Sequence, residues 1–163
     1  MVDNITLGEL RALESPLIEE PLFPVQAPDG RKDLSELDRQ AWFVAFMRRT
    51  QPHIEVHANP NAAKRGFKAQ TQVRKEGLKA GVFDITVAWD YRESTIPDCA
   101  VSVAWPEFKG YDSRGRAGKL TPQQIAWGNV MHRKGFPVAC FFSAKSVVEW
   151  LQAIGAPIRK ATL

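Results

Sequence analysis

Cysteine is scarce in this chain of 163 residues: Cys99 and Cys140 are the only two, with no CxxC pair and no histidine cluster beside either. That argues against a disulfide framework and a cysteine-rich zinc site, and makes a reducing compartment the expectation. No apolar run approaches the ~18 residues that a membrane helix needs. The opening stretch "MVDNITLGELRALESP" has neither the basic flank nor the apolar centre of a secretory signal. Internal repeats are missing too. His53 and His57 stand four apart in "HIEVH", but isoleucine follows the first, so the HExxH zinc pattern is not met. Two exposed histidines are expected there.

What is present fits one domain with a real core: 44% of residues are hydrophobic and 25% charged, ordinary for a soluble globular chain. The net charge of +4 is unevenly spread. Residues 1–30 carry six acids (Asp3, Glu9, Glu14, Glu19, Glu20, Asp29) against one base, Arg11. The other 133 residues carry 21 bases against 12 acids. A body this basic points to a polyanionic partner, nucleic acid first, although charge kept for solubility explains the count equally well.

Residues 1–32 read as an acidic arm. "ITLGELRAL" suits a short helix, but "ESPLIEEPLFPVQAPDG" holds four prolines and no regular element. Its apolar side chains are expected to cover part of the domain that follows, residues 33–163. There, Asp33 with Glu36 three residues on has capping-box spacing and opens a helix through Arg49, with Leu34, Leu37, Ala41, Val44 and Phe46 at helical intervals. "HIEVHA" is a short strand, and "NPNAAKRGFKAQTQVRKEG" turns into a basic helical stretch. "FDITVAW" and "AVSVAWPEFK" are strands joined by a polar linker. "TPQQIAWGNVMHRKG" is a helix capped by Thr121 and stopped by Gly135. "FPVACFF" is a strand and "SAKSVVEWLQAIG" a last helix capped by Ser143. The order α, β, β, β, α, β, α predicts an α/β fold with a mixed central sheet flanked by helices. Trp42, Trp105, Trp127 and Trp150 lie in apolar segments and are expected in the core.

Residues two apart on a strand share a face, so Glu107 and Lys109 project together at the end of "AVSVAWPEFK". Antiparallel pairing with "FDITVAW" would bring Asp84, at that strand's start, beside them. Two carboxylates buried together need cationic compensation, which one lysine and a divalent ion would supply. Hard oxygen ligands suit Mg²⁺ or Mn²⁺ and phosphodiester hydrolysis. Taken alone, a Glu-x-Lys triplet is more often a surface ion pair.

Four stretches in order, "GLKAGVFD", "WPEFKG", "GKLTPQQ" and "HRKGFPVACFFS", resemble the landmarks of the VRR-NUC domain, a family of the PD-(D/E)xK nuclease superfamily. The resemblance spans about residues 34–155 and implies a restriction-endonuclease-like core. It implies that Asp84 and Glu107 ligate Mg²⁺ or Mn²⁺, with the backbone carbonyl of Phe108 as a further ligand, and that Lys109 is the catalytic lysine. Gln124 resembles the glutamine that opens the next helix facing the site, and Glu36 the first-helix glutamate that reaches the metal through water. Phe83 stands where the family has proline, a departure that touches the local turn more than the chemistry. The implied activity is structure-selective DNA cleavage, of Holliday junctions or flaps, by a homodimer. A chain with little beyond this domain suits a phage or prophage and the bacterial cytoplasm.

Two basic stretches would meet DNA: Lys64, Arg65, Lys68, Arg74 and Lys75 in one, Arg114, Arg116 and Lys119 in the loop after Lys109. That loop reads as loose and glycine-rich, and it lacks the Walker A pattern. The competing reading is a non-catalytic DNA-binding or assembly module in which the same carboxylates are merely ion-paired.

Overall fold

A computed structural model describes residues 19–59 and 79–160. Four strands form one sheet in the order β1 (Glu55–Ala58), β2 (Ile85–Ala88), β3 (Val103–Phe108), β4 (Val138–Phe141). The first two neighbour pairs are antiparallel and β3–β4 is parallel. Three α-helices accompany them among the described residues: α1 (Glu36–Thr50), α2 (Pro122–Arg133) and α3 (Ala144–Ala153). The element order read from hydrophobic periodicity is therefore the observed one, and the fold is mixed α/β. No helix among the described residues is long and apolar enough to cross a membrane.

The sheet is covered on both faces, and β4 shows why its sequence is apolar throughout. Ala139 and Phe141 enter one core with Ile85, Val87, Ala104 and Phe108, under Phe43 and Met47 of α1 and Val147 and Leu151 of α3. Val138 and Cys140 point the other way, into a smaller core with Trp127 of α2, Phe83 and Phe23. A strand buried on both sides has no polar face to alternate with.

Phe23 belongs to the arm. Its ring packs edge-on against Phe83, 5.4 Å between centroids, and lies so close over Gly128 that a Cβ there would collide with it. The arm continues along the outer edge of β4: the Cys140 amide donates to the Pro24 carbonyl and the Gln26 amide donates to the Cys140 carbonyl. The Gln26 side chain then accepts from the amides of Phe142 and Ser143 ahead of α3. Residues 19–32 thus supply core and edge, more than a covering. The short helix expected at "ITLGELRAL" lies outside the described residues.

Two expectations about α1 are corrected. The N-cap is Ser35, not Asp33: the Ser35 hydroxyl accepts from the Asp38 amide, and the Asp38 carboxylate accepts from the Ser35 amide. "DLSELD" holds two overlapping capping boxes, and the choice between them is tertiary. Tyr111 donates its amide to Leu34, and Gly110 lies against the Ser35–Glu36 backbone. The buried stripe is Arg39, Phe43 and Met47, while Leu37 is 72% exposed and Ala41 is exposed too. Trp42 is likewise outside the core, 54% exposed and stacked on Phe46. Trp127 is buried, and Trp105 and Trp150 are half-buried. His57 is exposed as expected, whereas His53 precedes the strand and is half-buried, its Nε2 2.8 Å from the Pro157 carbonyl.

Two substitutions separate these roles. Phe23→Ala removes a buried ring and should lower the unfolding free energy by about 3 kcal/mol, whereas Leu37→Ala should change it by less than about 0.5 kcal/mol. Urea denaturation monitored by tryptophan fluorescence checks both.

Candidate metal centre

The site is assembled where β2 and β3 meet. Their antiparallel register pairs Val87 with Ala104 and Ala88 with Val103; carried on to 84 and 107, it sets Asp84 opposite Glu107. The Asp84 amide donates to Glu107 Oε2 at 3.1 Å. Period-two alternation places Lys109 on the same side as Glu107, and its Nζ stands 2.5 Å from Glu107 Oε1. Phe108 between them turns its side chain to the opposite face, into the larger core against Phe43.

Two helix N-termini close over this pair. At the start of α2, Gln124 serves in two ways at once. Its Oε1 accepts from the Thr121 amide to complete a capping box, and its Nε2 donates to Glu107 Oε1 at 2.5 Å. Glu36 occupies the first turn of α1, free of the capping duty that falls to Asp38, and its Oε2 lies 3.5 Å from Lys109 Nζ. One carboxylate oxygen from each of Glu36, Asp84 and Glu107 lies within 4.8 Å of the others. The structure therefore brings together all five side chains singled out in the sequence: Asp84, Glu107, Lys109, Gln124 and Glu36.

Burial sets the electrostatics. Glu107 is wholly inaccessible, Lys109 5% and Asp84 7% exposed, whereas the Glu36 side chain is 42% exposed and forms the wet rim. Loss of solvation pushes the Glu107 carboxyl up to about 7; the neighbouring Asp84 charge adds to this, and Lys109 opposes it. Burial works against the Lys109 ammonium, but the Glu107 carboxylate outweighs it and holds Lys109 above its ordinary value. The protein groups bonded to Glu107, the Lys109 ammonium, the Gln124 amide and the Asp84 N–H, all donate, which suits an ionised carboxylate.

The donor set fits one hard divalent cation. Two oxygens on opposite sides of a single ion are about 4 Å apart for Mg²⁺ and about 5 Å for Ca²⁺, so a spread of at most 4.8 Å is compatible with a shared ion. Carboxylates without sulfur or imidazole favour Mg²⁺, Mn²⁺ or Ca²⁺ over zinc. Among the four ionisable side chains three are acids and one is a base, an excess of negative charge that a divalent ion would offset.

Of the residues expected to meet DNA, Lys64, Arg65, Lys68, Arg74 and Lys75 lie outside the described residues. Arg114 and Arg116 lie within a closed hairpin where a loose loop was expected, and Lys119 follows it. Tyr111 bridges Ala117, the Gly118 amide donates to Gly110, and the Asp112 carboxylate accepts from the amides of Arg114 and Arg116. Arg116 is also paired with Asp112 at 2.6 Å. Arg114 and Lys119 remain exposed. A cavity of about 540 Å³ beside α1, lined by Asp29, Leu34, Arg39, Trp42 and Ser143 among others, shares no residue with the acidic group. Its Arg39 is bidentate to Asp29, so it gathers no comparable set of reactive groups.

Sequence reading passed over Gly110 and Gly81. A Cβ at Gly110 would collide with the backbone of Ser35 and Glu36, and one at Gly81, where φ is +84°, with the backbone of Gln123. Both glycines let a helix N-terminus approach the site closely. The position of Gly110 directly after Lys109 was the available signal. Compared with protein-family models, curated proteins and solved structures, the chain matches none.

The raised Glu107 value has a thermodynamic signature. An acid whose folded value, about 7, exceeds its ordinary 4.5 contributes stability that is complete below 4.5 and lost as pH rises through 7. In chelator-treated protein the loss should amount to at most about 3 kcal/mol. Comparing denaturation of wild type and Glu107→Gln between pH 5 and 8 isolates it, because the substituted amide cannot titrate.

Proposed function

We propose that this protein is a divalent-metal-dependent DNA endonuclease on a restriction-endonuclease-like core, of the VRR-NUC kind that its motifs resemble. The observation that carries the reading is the meeting of Glu36, Asp84 and Glu107 around one point, with Lys109 in contact with two of them. Asp84 and Glu107 would hold Mg²⁺ or Mn²⁺, with the Phe108 carbonyl as a further ligand and the half-exposed Glu36 reaching the ion through a water. When bound, the cation supplies an acidified water and offsets charge on the phosphate under attack.

The chain's own groups have separable tasks. Glu107 Oε1 is taken up by Lys109 and Gln124, which leaves Oε2 as the oxygen better placed for a cation. Gln124, held at its other end by the α2 cap, keeps the Glu107 carboxylate from rotating. Lys109 would orient the attacking water or donate to a phosphate oxygen where negative charge develops. Glu36, on the solvent side, would accept a hydrogen bond from that water. The exposed Arg114 and Lys119 are placed to track a phosphate backbone, while Arg116 must first leave Asp112. Selectivity for branched or flapped DNA, and a homodimer that presents two such sites, complete the proposal.

A non-catalytic DNA-binding or assembly module is the rival, and the buried Glu107–Lys109 pair would serve it as a structural ion pair. Asp84→Ala decides. A nuclease loses Mg²⁺-dependent cleavage of a labelled junction, flap and duplex panel by more than about 100-fold while DNA binding persists; Gln124→Ala should lose about 10- to 100-fold, as expected for a group that orients a ligand. Wild-type protein that cuts no member of the panel with Mg²⁺ or Mn²⁺ would refute the enzyme reading.

A further inference from the structure

Asp84 sits just before β2, where the regular ladder has ended on both sides. The pairing of β1 with β2 stops at Ala58 and Ile85, and the β2–β3 pairs are Val87 with Ala104 and Ala88 with Val103. The β1–β2 register reaches this residue through one further bond, from the Asn59 N–H to the Asp84 carbonyl, and side chains supply the rest. On the β3 side the side chain is that of Glu107, whose Oε2 accepts the Asp84 amide. On the β1 side it is that of Asn59, the residue that follows β1.

Asn59 reaches residues before, at and after Asp84 position. Its backbone N–H donates to the Asp84 carbonyl at 2.7 Å, and its side-chain Nδ2 donates to the Phe83 carbonyl at 2.7 Å. Its Oδ1 accepts from the Thr86 hydroxyl at 2.9 Å, which fixes the orientation of the amide. A donor at one end and an acceptor at the other are both needed, and a carboxamide of this length meets the need. Aspartate has no N–H for Phe83, and alanine has neither group.

We propose that Asn59 is a positioning residue: it holds the Phe83–Asp84 peptide from the side opposite Glu107 and so sets where the Asp84 carboxylate stands in the acidic group. Its consequence for cation binding rests on the metal reading above; its action on the Asp84 backbone does not. Asn59 touches no reacting atom and acts through the Phe83–Asp84 backbone. Because β2 lies between β1 and β3, the two clamps pull from opposite edges, and release of either lets the peptide turn.

Two measurements test this. In metal-free protein, hydrogen exchange of the Asp84 amide in Asn59→Ala should speed up at least ten-fold relative to Val87. Thr86→Val, which only frees the Asn59 amide to rotate, should produce a smaller change of the same kind. An unchanged Asp84 rate, or acceleration shared equally by Val87 and Phe141, would overturn the proposal, the second outcome marking general loosening. Titration with Mn²⁺ alone should then show at least a ten-fold weaker Kd for Asn59→Ala. Gln51→Ala should retain the wild-type Kd, because it removes a buried amide bonded to Arg159 at the far end of α1. Equal weakening in both variants overturns the proposal. Wild-type protein that binds no Mn²⁺ refutes the metal reading instead, and the exchange result still decides the role of Asn59.

Discussion

The contact on which the site depends is the buried pair of Glu107 and Lys109. A carboxylate with no solvent access carries a desolvation cost of several kcal/mol unless charged and hydrogen-bonded partners offset it. Here one oxygen takes the Lys109 ammonium and the Gln124 amide, and the other takes the Asp84 N–H. Each partner comes from a different part of the chain: the same strand, the opening turn of α2, and the approach to β2. To satisfy Glu107 is therefore to bring three segments into register. The other acids of the group, Asp84 and Glu36, are then held within reach of the same point.

Helix ends complete this arrangement. α1 and α2 both direct their N-termini towards the carboxylates, the end where a helix carries partial positive charge and unpaired N–H groups. Close approach is possible because the opposing residues are Gly110 and Gly81. The arm contributes at a distance: Phe23 packs on Phe83, the residue next to Asp84, and on Gly128 of α2. Tyr111, beyond Lys109, accepts from the Gly30 amide through its hydroxyl, so the hairpin that follows the lysine is tied to the arm as well. Core packing and site geometry thus share several residues.

Much of this was legible along the chain. Alternation in "FDITVAW" and "AVSVAWPEFK" marked the strands, and the antiparallel join between them implied the meeting of Asp84 with Glu107 and Lys109. Capping by Thr121 and Ser143, and the stop at Gly135, were read at the observed positions. The start of α1 was misread because "DLSELD" satisfies the same local rule twice. Trp42 lies in an apolar segment yet stays exposed, because hydrophobicity is a property of the side chain, whereas burial depends on which helix face meets the sheet. Asn59 gave no signal, since the carbonyls that it holds lie 24 and 25 positions later in the chain.

The order of elements, their types and the pairing of two strands that carry acids at matching ends were determined by the sequence alone. These follow from backbone geometry and nearest-neighbour spacing, which repeat every two or 3.6 residues. Only tertiary structure decided that Glu36 is released from capping to face Lys109 and that Gln124 caps α2 while donating to Glu107. It also decided that burial raises the Glu107 carboxyl to about 7. Each of those depends on what solvent is excluded and which distant donors arrive, and neither is encoded in any local pattern.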